Sequence, residues 1–423
     1  MGRVGFEGSH SSQRRDEWGT GNLAWIFVWM MLILPLRGQM LAHKGWAGNG
    51  LTVDAWWKSA VFYRVDASGV EGLTQRLDYL QGLGVDAVVL SPPRVQAGES
   101  LEEFDTLEQE ASRRKIRVVV EVPVSAEVSV EGTVSAARFW LSRGVGGMRL
   151  TAAQGGVALT RADWAARASA VRKLCAGFAG ERVVISEGPL PEAVARRRRT
   201  RGGTVGSDVG AQLGVDSGLM QARVWDADVV RSVLAGGVPG RVLESDAPGV
   251  ARSGERFQGG AAVAKMVATV LFAGREEPMI FSGQETGADD GDDADSLLDW
   301  YRRMSALRHE QASLREGTLA MVETGYPEVV AWVRRSDAGR GRTVLVVCNV
   351  SGQARVISLV EALRKMGVSA GNGVHPLAVS VAGMEASYTA GGISLPAYGV
   401  YVGELRQPGL ESGDVAVPVR RHK

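Results

Sequence analysis

From about residue 58 onward, short apolar β-branched runs alternate with segments whose apolar positions recur every three or four residues. Residues 61–65 and 87–91 read as strands, the second closed by Pro92-Pro93. Between them Leu73, Leu77, Leu80 and Leu83 line one helical face. The rhythm continues with a helix over 101–115 and a Val-rich strand over 116–124, the pattern of a parallel strand buried on both faces. A helix over 133–143, a strand over 146–151, a long helix over 159–178 and a strand over 182–187 follow. Residues 219–224 read as the sixth strand, 241–246 as the seventh and 278–281 as the eighth, with helices over 261–272 and 297–309. Eight βα units over roughly 250 residues match the size of a (β/α)8 barrel. A doubly wound sheet is the alternative, but the chain has no Gly-rich dinucleotide loop to go with it.

After about residue 316 the pattern turns to strands alone. Segments 329–333, 343–348, 354–359 and 398–403 are strand-like and separated by Gly and Pro turns, which predicts a small C-terminal antiparallel β-domain. The expected organisation is an α/β TIM barrel over 56–316, a β-sandwich domain over 317–405 and a polar tail over 406–423. Ahead of the barrel, residues 1–22 are polar and an unbroken apolar run spans 23–36. That run is shorter than the ~20 residues of a membrane span and suits a signal-peptide core. Gln39-Met40-Leu41-Ala42 supplies a small residue for cleavage, and an uncleaved single-pass anchor is the alternative reading of 1–42. Either way residues 43–423 are expected outside the cytoplasm.

Composition narrows the picture only a little. The chain has 423 residues, 45% hydrophobic and 22% charged, ordinary proportions for a globular protein. Its net charge of +1 gives no electrostatic case for nucleic acid or an anionic membrane surface. The two cysteines, Cys175 and Cys348, fall in different regions and read as buried thiols. The arginine run at 196–199 reads as a solvated helix end.

Several segments, in order, resemble the α-amylase superfamily of glycoside hydrolases. Trp57-Lys58-Ser59-Ala60-Val61-Phe62-Tyr63-Arg64 looks like its first strand. Arg76-Leu77-Asp78-Tyr79-Leu80-Gln81-Gly82-Leu83-Gly84-Val85-Asp86-Ala87 is similar to its first helix and second strand. Ala137-Arg138-Phe139-Trp140-Leu141-Ser142-Arg143-Gly144 resembles the helix before its nucleophile strand. Phe281-Ser282-Gly283-Gln284-Glu285-Thr286-Gly287 resembles the eighth strand and its loop, and Leu395-Pro396-Ala397-Tyr398-Gly399-Val400-Tyr401-Val402 the closing strand of the β-domain. The likeness covers about residues 56–405.

Retaining glycoside hydrolysis needs two carboxyl groups across the scissile bond. Carried over residue by residue, the resemblance implies Arg149 as the sugar-contacting Arg, Glu187 as the acid/base and Asp246 as the stabilising carboxylate. Arg252 falls where the following loop often carries an Arg. Thr151 occupies the nucleophile position, and a Thr hydroxyl without an adjacent base is a weak nucleophile. The family's Asn-His before the last carboxylate is Glu244-Ser245 here, and its third-strand Asp and Asn-His pair are replaced by Glu121–Ala126. Of five histidines only His309 falls within the barrel, the loop after the second strand is short, and the insertion after the third is reduced to about 127–133.

Three readings follow. The first is an exported, degenerate α-amylase-type protein that binds an α-glucan or oligosaccharide without classical hydrolysis. The second is a non-catalytic partner subunit of a membrane protein, because the layout also resembles amino-acid-transporter heavy chains. The third is a glycosidase of altered mechanism using Glu187 and Asp246. Arg149 is expected as an ion-pair partner of Glu187 or Asp246, and Glu244 as a partner of a buried Arg. No cofactor, metal or nucleic acid is implied.

Overall fold

The computed structural model describes residues 55–66, 72–93, 101–188, 211–287, 296–336, 342–368, 374–381 and 391–405. The N-terminal segment 1–42, the arginine run 196–199 and the tail 406–423 lie outside the described residues.

Eight strands form a closed barrel: β1 (Phe62–Arg64), β2 (Ala87–Leu90), β3 (Arg117–Val124), β4 (Gly147–Ala152), β5 (Val183–Ser186), β6 (Leu213–Asp216), β7 (Arg241–Glu244) and β8 (Glu277–Phe281). Each is parallel to the next, and β8 pairs back onto β1. Alternation along each strand separates two apolar layers. Phe62, Ala87, Val89, Val119, Val183, Ile185, Leu213, Val242 and Met279 fill the lumen. Their neighbours Tyr63, Val88, Val118, Val120, Met148, Leu150, Val184, Leu243 and Ile280 pack outward beneath the helices. Gly147 is required by the narrow lumen, since a Cβ there would meet the Val183 carbonyl oxygen at 2.2 Å.

Around the barrel run the helices Leu77–Gly82, Glu102–Arg113, Val130–Leu141, Arg161–Cys175, Ala227–Gly236, Gly260–Ala273 and Leu297–Glu310. Four are N-capped by side chains that accept from the first turn: Ser129, Thr160 (with Asp163 as a capping box), Asp226 and Ser296. Each cap is worth about 1 kcal/mol and fixes where a loop at the strands' C-terminal face ends.

The sixth strand differs from expectation. It is Leu213–Asp216, and residues Gly218–Gln221 form a helical turn instead. The strand is four residues long, and its two lumen-side residues flank Gly214 at the end of a Gly-rich stretch, so apolar periodicity points past it. The helix Ala227–Gly236 and the strands β9 (Thr318–Val322), β13 (Val374–Val379) and β14 (Ile393–Leu395) were also not evident in the pattern.

The C-terminal part is an antiparallel five-stranded sheet in the order β13-β15-β11-β10-β9, with β10 (Val329–Arg335), β11 (Thr343–Asn349) and β15 (Val400–Leu405). A two-stranded sheet of β12 (Arg355–Ile357) and β14, with the helix Val360–Lys365, covers one face. The other face, carrying Val330, Trp332, Val344, Val346 and Cys348, joins the barrel's outer apolar layer. Cys175 and Cys348 are both buried free thiols.

Polar contacts lock this junction. Arg308 donates to Glu277 at 2.5 Å and to the carbonyls of Phe272, Leu314 and Glu276. Arg334 and Trp332 both donate to the Ala273 carbonyl at 3.1 Å. Burial pushes the Glu277 carboxyl up, against the pull of Arg308.

At the barrel's N-terminal face His309 Nε2 lies 3.0 Å from Asp86 Oδ2, and that same oxygen accepts from the Val61 amide at 2.8 Å. The contact ties the closing helix to the starts of β1 and β2. The Asp86 hydrogen bond raises the imidazole pKa above 6.5, against partial desolvation. A raised folded-state pKa stabilises most below the unfolded-state value, and the gain is lost as pH rises through the folded value. Urea unfolding of His309→Gln against the parent is expected to show a deficit near pH 5.5 that shrinks by about pH 8.5, and of no more than about 1 kcal/mol because the pair is partly exposed. A deficit that grows with pH would contradict the assignment.

Candidate functional site

Lumen-side positions of β1, β3, β4 and β7 should be apolar in a tight barrel. Here they carry Arg64, Glu121, Arg149 and Glu244. The β3–β4 register sets Glu121 directly beside Arg149, and Pro123 beside Thr151. Arg149, 1% exposed, is a full charge inside the barrel and is sustained only by carboxylates around it. Its Nη2 and Nε reach Glu187 Oε1 at 2.7 and 3.1 Å, and its Nη1 donates to Glu244. Glu121 lies 3.7 Å from the Nε. Burial opposes the Arg149 charge, but Glu244, Glu187 and Glu121 outweigh it and hold the guanidinium pKa above its ordinary value.

The network extends to β1 and β2. Arg64 Nε donates to Glu121 Oε1 at 2.8 Å, and Ser91 Oγ to Glu121 Oε2 at 2.7 Å. Glu187 is the member nearest solvent, its side chain 27% exposed. Its second oxygen accepts from the Ala152 amide at 3.3 Å. Five side chains from β1, β3, β4, β7 and the end of β5 thus form one ion-pair ring, with two cations against three carboxylates.

Asp246 stands apart from this ring. It is buried, accepts from the Ser253 amide at 3.4 Å and has Arg256 Nη2 at 3.8 Å. Burial pushes its carboxyl up, with Arg256 pulling the other way. Arg252 donates to the Ser282 carbonyl at 2.5 Å, and its guanidinium lies 4.5 Å from the centre of the Phe281 ring. Thr151 is half-buried at the end of β4, two residues beyond Arg149 on the same face. His309 is at the opposite end of the barrel, bound to Asp86.

Of the residues singled out in sequence, the structure brings together Arg149, Glu187 and Glu244, places Thr151 at the same strand ends, and gives Asp246 and Arg252 other partners. Arg64 and Glu121 were overlooked as members of the ring. Their signal was a charge at an inward position of an otherwise Val-rich or aromatic strand, readable once the alternation is phased.

A second polar cluster lies behind β1 and β8. The hydroxyls of Tyr63 and Tyr79 donate to Glu285 Oε1 at 2.8 and 2.9 Å. Desolvation and the Glu285 charge raise both phenol pKa values. This cluster braces the β8 loop. Among the described residues, no group of three or more His, Cys, Asp or Glu is placed to hold a metal ion. An open groove of about 430 Å³ lies elsewhere, between Arg231 and Ala235 of the helix Ala227–Gly236 and the β9–β10 hairpin.

The expected architecture, a closed (β/α)8 barrel followed by an antiparallel β-domain, is the one the chain adopts. It is similar to trehalulose synthase MutB from Pseudomonas mesoacidophila MX-45, with a TM-score of 0.62 and 17% identity over 83% of this chain and 99% of that one. Isomaltulose synthase PalI from Klebsiella sp. LX3 gives a TM-score of 0.60 and 16% identity over 84% and 100%. At that identity the likeness is one of fold. Among curated proteins the chain is similar to the amino acid transporter heavy chain SLC3A2 of Oryctolagus cuniculus, 23% identical over 376 residues, 72% of this chain and 68% of that protein. No family model matches.

Removing Arg149 should strand the buried Glu244 and the half-buried Glu187, while Glu121 keeps Arg64. Arg149→Met is expected to lower unfolding free energy by about 3–5 kcal/mol, the range for breaking a buried ion pair. Glu187→Gln, at the solvent edge with Arg149 still paired to Glu244, should cost no more than about 1 kcal/mol. Denaturant titration of both variants checks this, and equal losses would mean the ring is not held by its buried members.

Proposed function

We propose that this chain is a non-catalytic α-amylase-type barrel, exported or membrane-anchored, that serves as the partner subunit of an integral membrane protein. The observation that carries the reading is the engagement of Glu187 beside Thr151. One oxygen of Glu187 is committed to Arg149 and the other to the Ala152 amide. A retaining mechanism needs a second carboxyl about 5–5.5 Å from the acid, and an inverting one needs a base about 6.5–9.5 Å away with room for water. The position that would supply a nucleophile is a hydroxyl with no imidazole beside it, and Asp246 is engaged by the Ser253 amide and Arg256. The likeness to a transporter heavy chain supports the partner-subunit reading, as does the apolar run at 23–36. Among the described residues no helix is long and apolar enough to cross a membrane, and the anchor on this reading is the apolar run at 23–36.

A second reading keeps carbohydrate at the site. Glu187 reaches solvent at the C-terminal ends of the strands, where barrel enzymes place their chemistry. On that reading the ring binds an α-glucan or oligosaccharide, with Glu187 and Arg252 toward the sugar, or hydrolyses it through Glu187 and Asp246.

Release of nitrophenol from aryl α-glucosides separates these readings. The parent chain and Thr151→Asp are both expected to give none above background, because the new carboxylate would face an acid already tied to Arg149. Turnover by the parent that vanishes in Glu187→Gln would overturn the non-catalytic reading. Calorimetry against a panel of α-glucans is expected to show no heat of binding. Purification from membranes in mild detergent is expected to bring a multi-spanning protein with the full chain.

A further inference from the structure

Asn349-Val350-Ser351 is an N-x-Ser sequence, the acceptor pattern for N-linked oligosaccharide, normally found on surface loops of exported chains. In the fold it is the opposite of a surface loop. Asn349 ends β11, the middle strand of the five-stranded sheet, and is 0% exposed. Its Nδ2 donates to the carbonyls of Gln353 and Pro396, each at 2.7 Å. Its Oδ1 accepts from the Ser351 amide at 3.2 Å and the Ser351 hydroxyl at 2.8 Å. Its own amide donates to the Gly399 carbonyl at 2.9 Å. The side chain thus fastens the β11 turn to the loop that leads into β15.

Glycan transfer and this turn compete for the same nitrogen. In the transfer, Nδ2 forms a bond to the anomeric carbon of a lipid-linked oligosaccharide diphosphate. The anomeric C–O bond breaks, the lipid diphosphate leaves with that electron pair, and one Nδ2 hydrogen departs as a proton. The product retains one N–H, so either Gln353 or Pro396 loses its donor, and a sugar must occupy a site where the residue has no exposed surface. Timing makes the competition real. Pro396 lies 47 residues after Asn349, so at ~5–20 residues per second the acceptor stays unshielded for about 2–9 s of synthesis.

We propose that Asn349 is a conditional N-glycosylation acceptor: it is open to transfer only before β15 docks, and a chain modified there cannot complete its β-domain. The inference rests on the export reading above. The test expresses the full chain in mammalian secretory cells and compares chains delivered to the surface or medium with chains retained inside, by peptide mass spectrometry and by the mobility shift on amide-releasing glycosidase. Ala158→Asn, in an exposed loop, places a control acceptor two residues before Thr160.

Delivered chains are expected to carry glycan at residue 158 and none at Asn349, with the Asn349 glycan confined to retained, protease-sensitive chains. Ser351→Thr, which keeps the hydroxyl, is expected to leave delivered chains unmodified at Asn349. Delivered, protease-resistant chains glycosylated at Asn349 would overturn the proposal, as would its absence from both fractions while the control is used. A control acceptor left unmodified would show that the chain does not enter the secretory lumen, and the export reading would fall with it.

Discussion

A guanidinium inside a closed barrel is the constraint around which the upper lumen is arranged. Arg149 cannot be solvated where it lies, and it cannot be left unpaired at that depth. Its charge is answered from three other strands, by Glu121 on β3, Glu187 at the end of β5 and Glu244 on β7, with Glu121 shared with Arg64 on β1. Each partner is presented by strand alternation and register, so the ring works only if the strands close with this shear. A single charged position thereby reports on the geometry of most of the barrel. Such a ring is weak evidence for net stability, because similar volumes of apolar side chain would serve as well.

The same logic applies at the opposite end of the sheet. Arg308, Glu277, Arg334 and the carbonyl of Ala273 form a buried polar junction between barrel and β-domain. It is enclosed by an apolar layer that runs without a break from Trp300 and Tyr301 to Trp332 and Val346. The β-domain therefore shares a core with the barrel, and its five-stranded sheet spends one face on that contact and the other on β12, β14 and the helix Val360–Lys365. Asn349 sits at the edge of this arrangement, where a strand in the middle of the sheet must turn.

What could be read from the chain follows from how much each element depends on its own periodicity. Long helices such as Arg161–Cys175 and Leu297–Glu310, and Val-rich strands such as β3, announce themselves because one or both faces are buried along their whole length. β6 does not, because Leu213-Gly214-Val215-Asp216 offers two apolar residues and a glycine, and its identity as a strand comes from pairing with β5 and β7. β9 and β13 escape because they are edge strands buried at only some positions, and the three-residue β14 because its partner β12 is distant in sequence. At the site, Arg149, Glu187 and Thr151 were legible through family resemblance, and Glu244 through its spacing from Asp246. Arg64 and Glu121 required the register between strands, which periodicity alone does not supply. Asp246 was legible as a carboxylate at a strand end, but not its commitment to Ser253 and Arg256, which come from the following loop and helical turn.

The lumen has two tiers with different duties. The lower tier of Phe62, Val89, Val119, Val183, Leu213 and Val242 is apolar and sets the packing. The upper tier is charged, and there a position without a carboxylate is tolerated only if no cation is left uncompensated. With Thr at position 151, Arg149 would lack a counterion unless the remaining carboxylates closed on it, and Glu187 and Glu244 do so. That closure keeps the buried guanidinium compensated and engages both oxygens of Glu187. At Glu187 the geometry favours charge compensation inside the barrel over a carboxylate left free toward solvent.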